Sequence, residues 1–194
     1  MASTFRLGPV TTSAIAPLYG FPFDSVRPDR AVLTRTGQRM DEVSCLPVGT
    51  MASPDAIAAM TAIADRAADL AISRHIDENG EVTMMTPADV AVVLSRNSQV
   101  GIVAAMLRSR GLDGITVGTA DRLQGGEWKA VAALDPFAGV PTANDYATSL
   151  GRLCVMASRH GSHLTWVYAD NWEALLGAAE IDELVLRDDA RAST

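Results

Sequence analysis

In GTADRLQGGEWKAVAAL, residues 118–134, a polar loop separates two apolar runs. The flanking runs, GITVGT and KAVAAL, are predicted to be strands. Two adjacent glycines, Gly125 and Gly126, allow backbone N–H groups to approach a ligand closely. The stretch therefore predicts a ligand-binding loop that follows the carboxyl end of a buried strand, where open α/β sheets hold their sites.

Outward from this loop, strands and helices alternate. DVAVVLS (89–95) and SHLTWVYA (162–169) indicate two more strands, and NSQVGIVAAMLRSRG (97–111) indicates a helix that ends before its final glycine. A helix is predicted over residues 52–76, with Ser53 as its N-cap and His75 at its end, near the negative pole of the helix dipole. This alternation predicts an α/β domain with a mostly parallel sheet, helices on both faces and right-handed crossovers.

The remaining segments complete one domain over residues 1–186. A short helix opened by Pro9 is predicted in residues 5–20, followed by two strands in 31–37 and 42–48 with a turn between them. Further helices are predicted within 141–161 and over 170–187. Residues 187–194 are expected to form a disordered tail.

Composition narrows the functional classes. The 194-residue chain has a formal charge of −7, and nearly all its positive charge is arginine, which indicates specific carboxylate or phosphate contacts and not diffuse nucleic-acid binding. Cys45 and Cys154 lie in apolar runs and are expected to be buried free thiols in a reducing cytoplasm. No apolar run approaches the roughly 18 residues of a membrane span, and the N-terminus does not match a signal peptide.

Three segments together resemble the second RecA-like domain of superfamily 1 helicases. FRLGP (5–9) resembles motif IV, VGTADRLQGGEW (117–128) resembles motif V, and RLCVMASRH (152–160) resembles motif VI. They occur in the family's order, and the resemblance extends from residue 5 to about residue 168. It implies a three-layer RecA-like fold of the P-loop NTPase type and a part in ATP-dependent movement on DNA or RNA.

The resemblance also implies roles for individual residues in an ATP site. Arg6 would reach the γ-phosphate, and Arg159 would stabilise charge during phosphoryl transfer, as fixed arginines do in such reactions. Gln124, Gly125 and Glu127 would form the nucleotide side of motif V, with Glu127 near the sugar.

On the other side of motif V, the resemblance places Thr119 and Asp121 near single-stranded nucleic acid. Purely structural roles are alternatives to these assignments. Arg6 could be solvated, Glu127 could cap a turn, and Arg159 could pair with a surface carboxylate.

The chain also departs from the family. It contains no G-x-x-x-x-G-K-[ST] loop, Cys154 replaces the usual asparagine of motif VI, and His160 or Gly161 occupies the place of a second arginine. Asp135 ends an apolar strand, but it follows motif V and is interpreted as a strand-end residue. We therefore expect the family's first RecA-like domain to precede residue 1, with ATP and Mg²⁺ bound only together with that partner domain and the isolated chain inactive.

Three functional hypotheses follow. The first is half of a helicase motor, and the second is a non-catalytic remnant or a protein-interaction or regulatory module with the same fold. The third, an unrelated small-molecule enzyme, lacks a recognisable nucleophile–base pair. The spacing of Cys154, His160 and His163 matches no usual zinc ligand set, so no metal site is predicted.

Overall fold

The computed structural model describes residues 2–19, 23–51, 53–139 and 150–169. The strands in these ranges are β1 (Ala2–Thr4), β2 (Phe23–Ser25), β3 (Ala31–Leu33), β4 (Val43–Pro47), β5 (Arg74–Ile76), β6 (Val82–Met84), β7 (Val90–Leu94), β8 (Thr116–Thr119), β9 (Trp128–Leu134) and β10 (His160–Tyr168). The helices are α1 (Pro9–Tyr19), α2 (Ile57–Ala71), α3 (Asn97–Ser109) and α4 (Leu150–Ala157), with a short 3-10 turn at Pro87–Asp89.

A five-stranded sheet in the order β4-β10-β9-β7-β8 forms the centre of the molecule. Each neighbouring pair in it is parallel. The order of the strands differs from their order in the sequence, so the connections must cross over, as expected for alternating strands and helices. The predicted α/β architecture with a mostly parallel sheet is confirmed.

Both faces of this sheet are covered, which explains the unbroken apolar runs. Successive residues of β7, such as Val92 and Val93, point to opposite faces and are fully buried. One face packs in a cluster with residues of α2 and α3. The other packs with Leu123 of the polar loop and with Met156 of α4, against which α1 lies. The domain therefore has three layers around two aliphatic clusters.

The register of the sheet shows that the loop at 120–127 crosses from one edge of the sheet to the other. Thr119 pairs with Leu94 at the carboxyl edge, whereas Trp128 pairs with His160 at the amino edge. The eight intervening residues thus pass along one face of the sheet. The loop follows the carboxyl end of β8, as predicted, and its second half lies at the opposite edge of the sheet.

A small antiparallel sheet, ordered β3-β5-β6, replaces the end of the predicted helix over 52–76. Helix α2 begins after Ala56, without a side-chain cap from Ser53, and ends at Ala71. Asp77 accepts hydrogen bonds from the backbone N–H groups of Asn79 and Glu81, and Gly80 has a φ of +80°. This turn closes a hairpin of β5 and β6, so His75 lies in a strand and not at a helix end.

Two further expectations need correction. Strands β3 and β4 were expected around one turn, but β3 pairs with β5 and β4 pairs with β10. Cys45 is exposed because β4 is an edge strand, whereas Cys154 is buried as expected, and both thiols are free. The predicted helix over 170–187 and the tail at 187–194 lie outside the described residues. Within the described ranges, no helix is long and apolar enough to cross a membrane.

Candidate functional site

The end of the polar loop and the junction between α4 and β10 meet at the amino edge of the central sheet. The backbone N–H of Trp128 donates to the carbonyl of Arg159 over 3.0 Å, directly after Glu127. The Arg159 Nη1 donates to the carbonyl of Gly126 over 3.5 Å. The structure therefore brings Glu127 and Arg159, which are 32 positions apart, onto neighbouring backbone segments.

The Arg159 side chain is buried, with 8% of the residue exposed. Its Nε donates to the carbonyl of Val155 over 3.2 Å, and its Nη2 lies 2.9 Å from the hydroxyl of Ser158. A cation at this place satisfies carbonyls that the last turn of α4 leaves free. These contacts hold the Arg159 side chain against the end of α4.

Arg30 connects Arg6 with Glu127. Its Nη2 donates to the Arg6 carbonyl over 3.1 Å and lies 3.7 Å from the Glu127 Oε1. Within the part of the chain that the structure describes, the Nε atoms of Arg6 and Arg30 are both buried without a hydrogen-bond partner. Sequence reasoning missed Arg30, which lies in an irregular proline-containing loop and belongs to none of the three motifs.

A cleft of about 360 Å³ opens beside this group. Arg30 and Glu127 line it together with an ion pair of 3.0 Å between Lys129 and Asp89. His75 lies in the same cleft, bonded to the Ser162 hydroxyl over 2.9 Å. Burial lowers the pKa of His75, and the positive charges of Lys129 and Arg30 lower it further. Lys129 is the single lysine of the sequence.

The buried carboxylate of Glu42 holds the amino end of α1 against this edge. It accepts hydrogen bonds from the backbone N–H groups of Val10 and Thr11, over 3.2 and 3.0 Å, and from the Thr11 hydroxyl over 2.5 Å. Arg27 lies 3.8 Å from the same carboxylate and donates to the carbonyl of Gly161 over 2.5 Å. An anion at a helix N-terminus satisfies free N–H groups and the helix dipole. This network connects the segment after Arg6 with the start of β10.

His160 extends the same network into the core. Its Nε2 lies 2.8 Å from the Thr11 hydroxyl. Because that hydroxyl donates its proton to Glu42, His160 must donate from Nε2. Burial, together with the neighbouring His163 and Arg27, lowers the pKa of His160 to about 3. His160 is thus a neutral core residue.

The middle of the loop is more exposed. Gln124 is exposed, and Gly125 has a φ of +88°, a left-handed conformation that favours glycine. A Cβ at Gly126 would lie 2.3 Å from the Trp128 ring, so glycine is needed for this packing. These glycines shape the turn that delivers Glu127 to the amino edge.

Thr119 and Asp121 lie apart from this group. The carbonyl of the buried Thr119 accepts hydrogen bonds from the N–H groups of Arg122 and Leu123 at the carboxyl edge. Asp121 is exposed, and its carboxylate lies 3.4 Å from the Nε of Arg152 at the start of α4. Trp128 and Leu134 are six residues apart in β9, and a strand advances about 3.3 Å per residue, so roughly 20 Å separates Thr119 from Glu127. The structure therefore brings Arg6, Glu127 and Arg159 to the amino edge and leaves Thr119 at the carboxyl edge, with Asp121, Gln124 and Gly125 along the loop between them.

Asp135 ends β9 and takes part in local structure, as interpreted from the sequence. Its carboxylate accepts hydrogen bonds from the N–H of Phe137 over 2.8 Å and from the Nε1 of Trp166 over 3.2 Å. Burial raises its pKa. Among the described residues, no three His, Cys, Asp or Glu side chains lie close enough to hold a metal ion.

Comparison with solved structures finds two helicases among the similar folds. The C-terminal domain of a possible DNA helicase from Lactobacillus plantarum WCFS1 shares 15% identity over 86% of this chain and 88% of that chain, with a TM-score of 0.48. The arterivirus helicase, nonstructural protein 10, shares 14% identity over 92% of this chain with a TM-score of 0.38, and the match spans 27% of the viral chain. No family model matches the sequence, and no curated protein does.

Proposed function

We propose that this chain is the C-terminal RecA-like domain of a helicase-type ATPase and contributes residues to an ATP site shared with an N-terminal RecA-like domain. One observation carries the proposal: segments from all three motifs meet at the amino edge of β9 and β10. Arg6, Glu127 and Arg159 come from distant parts of the sequence, and Arg30 and Gly126 join them through direct contacts. Charged residues from distant parts of a sequence that converge beside a cleft mark a candidate functional site.

The chemistry of this edge suits a triphosphate. In the proposed assembly, Arg6 and Arg159 face the phosphates and stabilise the charge that develops during transfer of the γ-phosphoryl group. Glu127 accepts a hydrogen bond from the ribose, and the turn at Gln124 and Gly125 borders the nucleotide. Mg²⁺ and the phosphate cradle come from the partner domain, since this sequence has no phosphate loop.

The proposal assigns the carboxyl edge to single-stranded nucleic acid, through Thr119 and Asp121, with DNA and RNA as equal alternatives. A chain with a formal charge of −7 needs its partner domain to supply most of the phosphate contacts. The two free thiols are consistent with a protein that works in the reducing cytoplasm.

A second candidate function is a non-catalytic module with the same fold. The inward position of Arg159 favours it, because this side chain bonds to carbonyls of its own domain. On the first proposal Arg159 must exchange these contacts for a phosphate when the partner domain closes. On the second it remains a structural residue.

Nucleotide titration of the isolated chain tests the proposal. We expect ATP–Mg²⁺ at millimolar concentration to shift the backbone NMR signals of Arg6, Glu127, Arg159 and Gly161, while Thr119 stays unchanged. We also expect no ATP turnover above a buffer blank, because the isolated chain lacks a phosphate loop. Glu127→Gln should weaken nucleotide binding several-fold and leave the fold intact.

The matched control is Asp121→Asn, which removes a carboxylate from the same loop at the other edge and should leave nucleotide binding unchanged. Shifts confined to the carboxyl edge would contradict the shared site. Turnover by the pure chain that disappears in Arg159→Ala would contradict the need for a partner domain.

A further inference from the structure

We infer that a second cleft, between α2 and the edge strand β4, binds an oxyanion through Arg66. This cleft of about 450 Å³ is lined by Arg66, by the hydroxyls of Ser44 and Thr165, and by the exposed Cys45. None of the helicase motifs contributes to it, and the inference is independent of the proposed ATP site. The ligand class is a small molecule that carries a carboxylate or phosphate group.

The Arg66 guanidinium is held in one orientation by uncharged acceptors. Its Nε donates to the Thr165 hydroxyl over 2.8 Å, and its Nη2 donates to the His163 Nε2 over 3.1 Å. The His163 Nδ1 donates to the Asp41 carbonyl over 2.6 Å, which leaves Nε2 as the acceptor. Burial lowers the pKa of His163 to about 4, so the imidazole stays neutral in this role.

Arg66 has no direct counter-ion among the described residues. No carboxylate of these residues lies within 4 Å of its guanidinium, although the residue is partly buried. Burial lowers the pKa of Arg66, which reflects the loss of hydration of a fixed charge. A desolvated cation held rigidly by neutral groups is prepared to bind an anion, because the ordering of the side chain has already occurred.

The hydrogen-bond donors on the wall of this cleft suit an oxyanion. None of the described residues accepts from the Arg66 Nη1, and the Ser44 hydroxyl, 3.3 Å from that of Thr165, lines the same wall. Two nearby carboxylates oppose binding to different degrees. Asp65 is held by Arg110 over 2.5 Å, whereas Asp69 has no ion pair among the described residues and faces the cleft. Asp69 therefore weakens anion binding, and the ligand must compete with it.

NMR titrations with sodium phosphate and sodium acetate, each against sodium chloride at equal ionic strength, test the inference. We expect phosphate, acetate or both to shift the Arg66 Nε–H signal and the backbone signals of Ser44 and Thr165, with saturation in the millimolar range. Saturation by phosphate alone assigns a phosphate ligand, and saturation by acetate assigns a carboxylate. If neither anion saturates these signals beyond the effect of chloride, the inference fails.

Three variants separate this site from general charge effects. Arg66→Met should abolish the saturable shifts, whereas Arg39→Met, which removes an exposed arginine paired with Asp29, should leave them unchanged. Ser44→Asp places a carboxylate on the cleft wall and should abolish binding while Arg66 remains. Asp69→Asn should tighten binding several-fold. Unchanged affinity in both Ser44→Asp and Asp69→Asn would overturn the inference, even if Arg66→Met failed to fold.

Discussion

At the scale of single residues, the interior of this domain holds neutral histidines beside enclosed arginines. His160 and His163 are fully buried, and each fills a defined hydrogen-bonding role beside a cation, Arg27 or Arg66. A histidine can take such a place only while it is uncharged, because a second positive charge there would be desolvated and repelled. The interior therefore depends on pH through its bases as well as its acids.

Acid should destabilise the fold through these histidines. Their pKa values fall from 6.5 to about 3 for His160 and about 4 for His163 in the folded state. Between pH 6.5 and pH 4 the unfolded chain binds more protons than the folded chain, so stability decreases as the pH falls through this window. The slope approaches about 1.4 kcal/mol per pH unit for each histidine.

Urea unfolding at several pH values measures this effect. His160→Gln keeps an N–H donor near the Nε2 position but cannot be protonated, so its stability should fall less steeply between pH 6.5 and pH 4.5. His75→Gln should reduce the slope less, because the pKa of His75 is also lowered by burial but by less than that of His160. Equal slopes for wild type and His160→Gln would show that His160 does not carry the pH dependence.

Residues that hold the candidate site together were the hardest to anticipate. The sequence singles out Arg6, Glu127 and Arg159 because their segments resemble a known pattern, and their roles stay predictions. Arg30 and Glu42 come from irregular segments without periodicity, and they meet the motif residues only after the sheet has formed. No local feature of the sequence encodes such long-range contacts.

At the scale of elements, long patterns predicted the structure well and short ones did not. Strands β7 and β9 and helices α2 and α3 follow from apolar runs and helical spacing. The three-residue strands β5 and β6 did not stand out, since segments this short are strands only because a neighbour pairs with them. The helix predicted over 52–76 was too long for the same reason.

Two glycine replacements should have opposite effects. Gly126→Ala would push a methyl group into the Trp128 ring, and we expect a loss of about 1–3 kcal/mol in the free energy of unfolding. Gly101 lies in α3 with open space around its Cβ position, so Gly101→Ala should stabilise the protein by about 0.5–1 kcal/mol.

Urea unfolding followed by tryptophan fluorescence measures both changes. In the native state, Gly126→Ala should also alter the emission, because Trp128 must move. If Gly126→Ala left both the free energy of unfolding and the tryptophan fluorescence unchanged, the loop would be free to shift away from the ring.

At the scale of the whole molecule, the protection of backbone amides against hydrogen exchange should decrease from the central sheet outward. Strands β7 and β9 have neighbours on both sides and are covered on both faces, whereas β6 is the edge of the small sheet and exposes all three of its residues. Elements with few buried contacts open at the lowest free energy.

Hydrogen–deuterium exchange measured by mass spectrometry should show this order. Peptides from 90–94 and 130–134 should exchange slowest, and peptides covering 82–84 should exchange orders of magnitude faster. The Asp77–Gly80 turn provides an internal reference for an exposed backbone. Equal protection of β6 and β9 would indicate that a further surface covers the small sheet.

Lys129 stands beside the cleft at the amino edge as the chain's single lysine, in an ion pair with Asp89. Amine-directed acylation of the chain therefore has one side-chain target, and that target borders the proposed nucleotide edge. A fluorophore coupled there would report nucleotide entry or closure of a partner domain as a change in emission, without a designed cysteine. The scarcity of lysine makes the native sequence suited to single-site labelling.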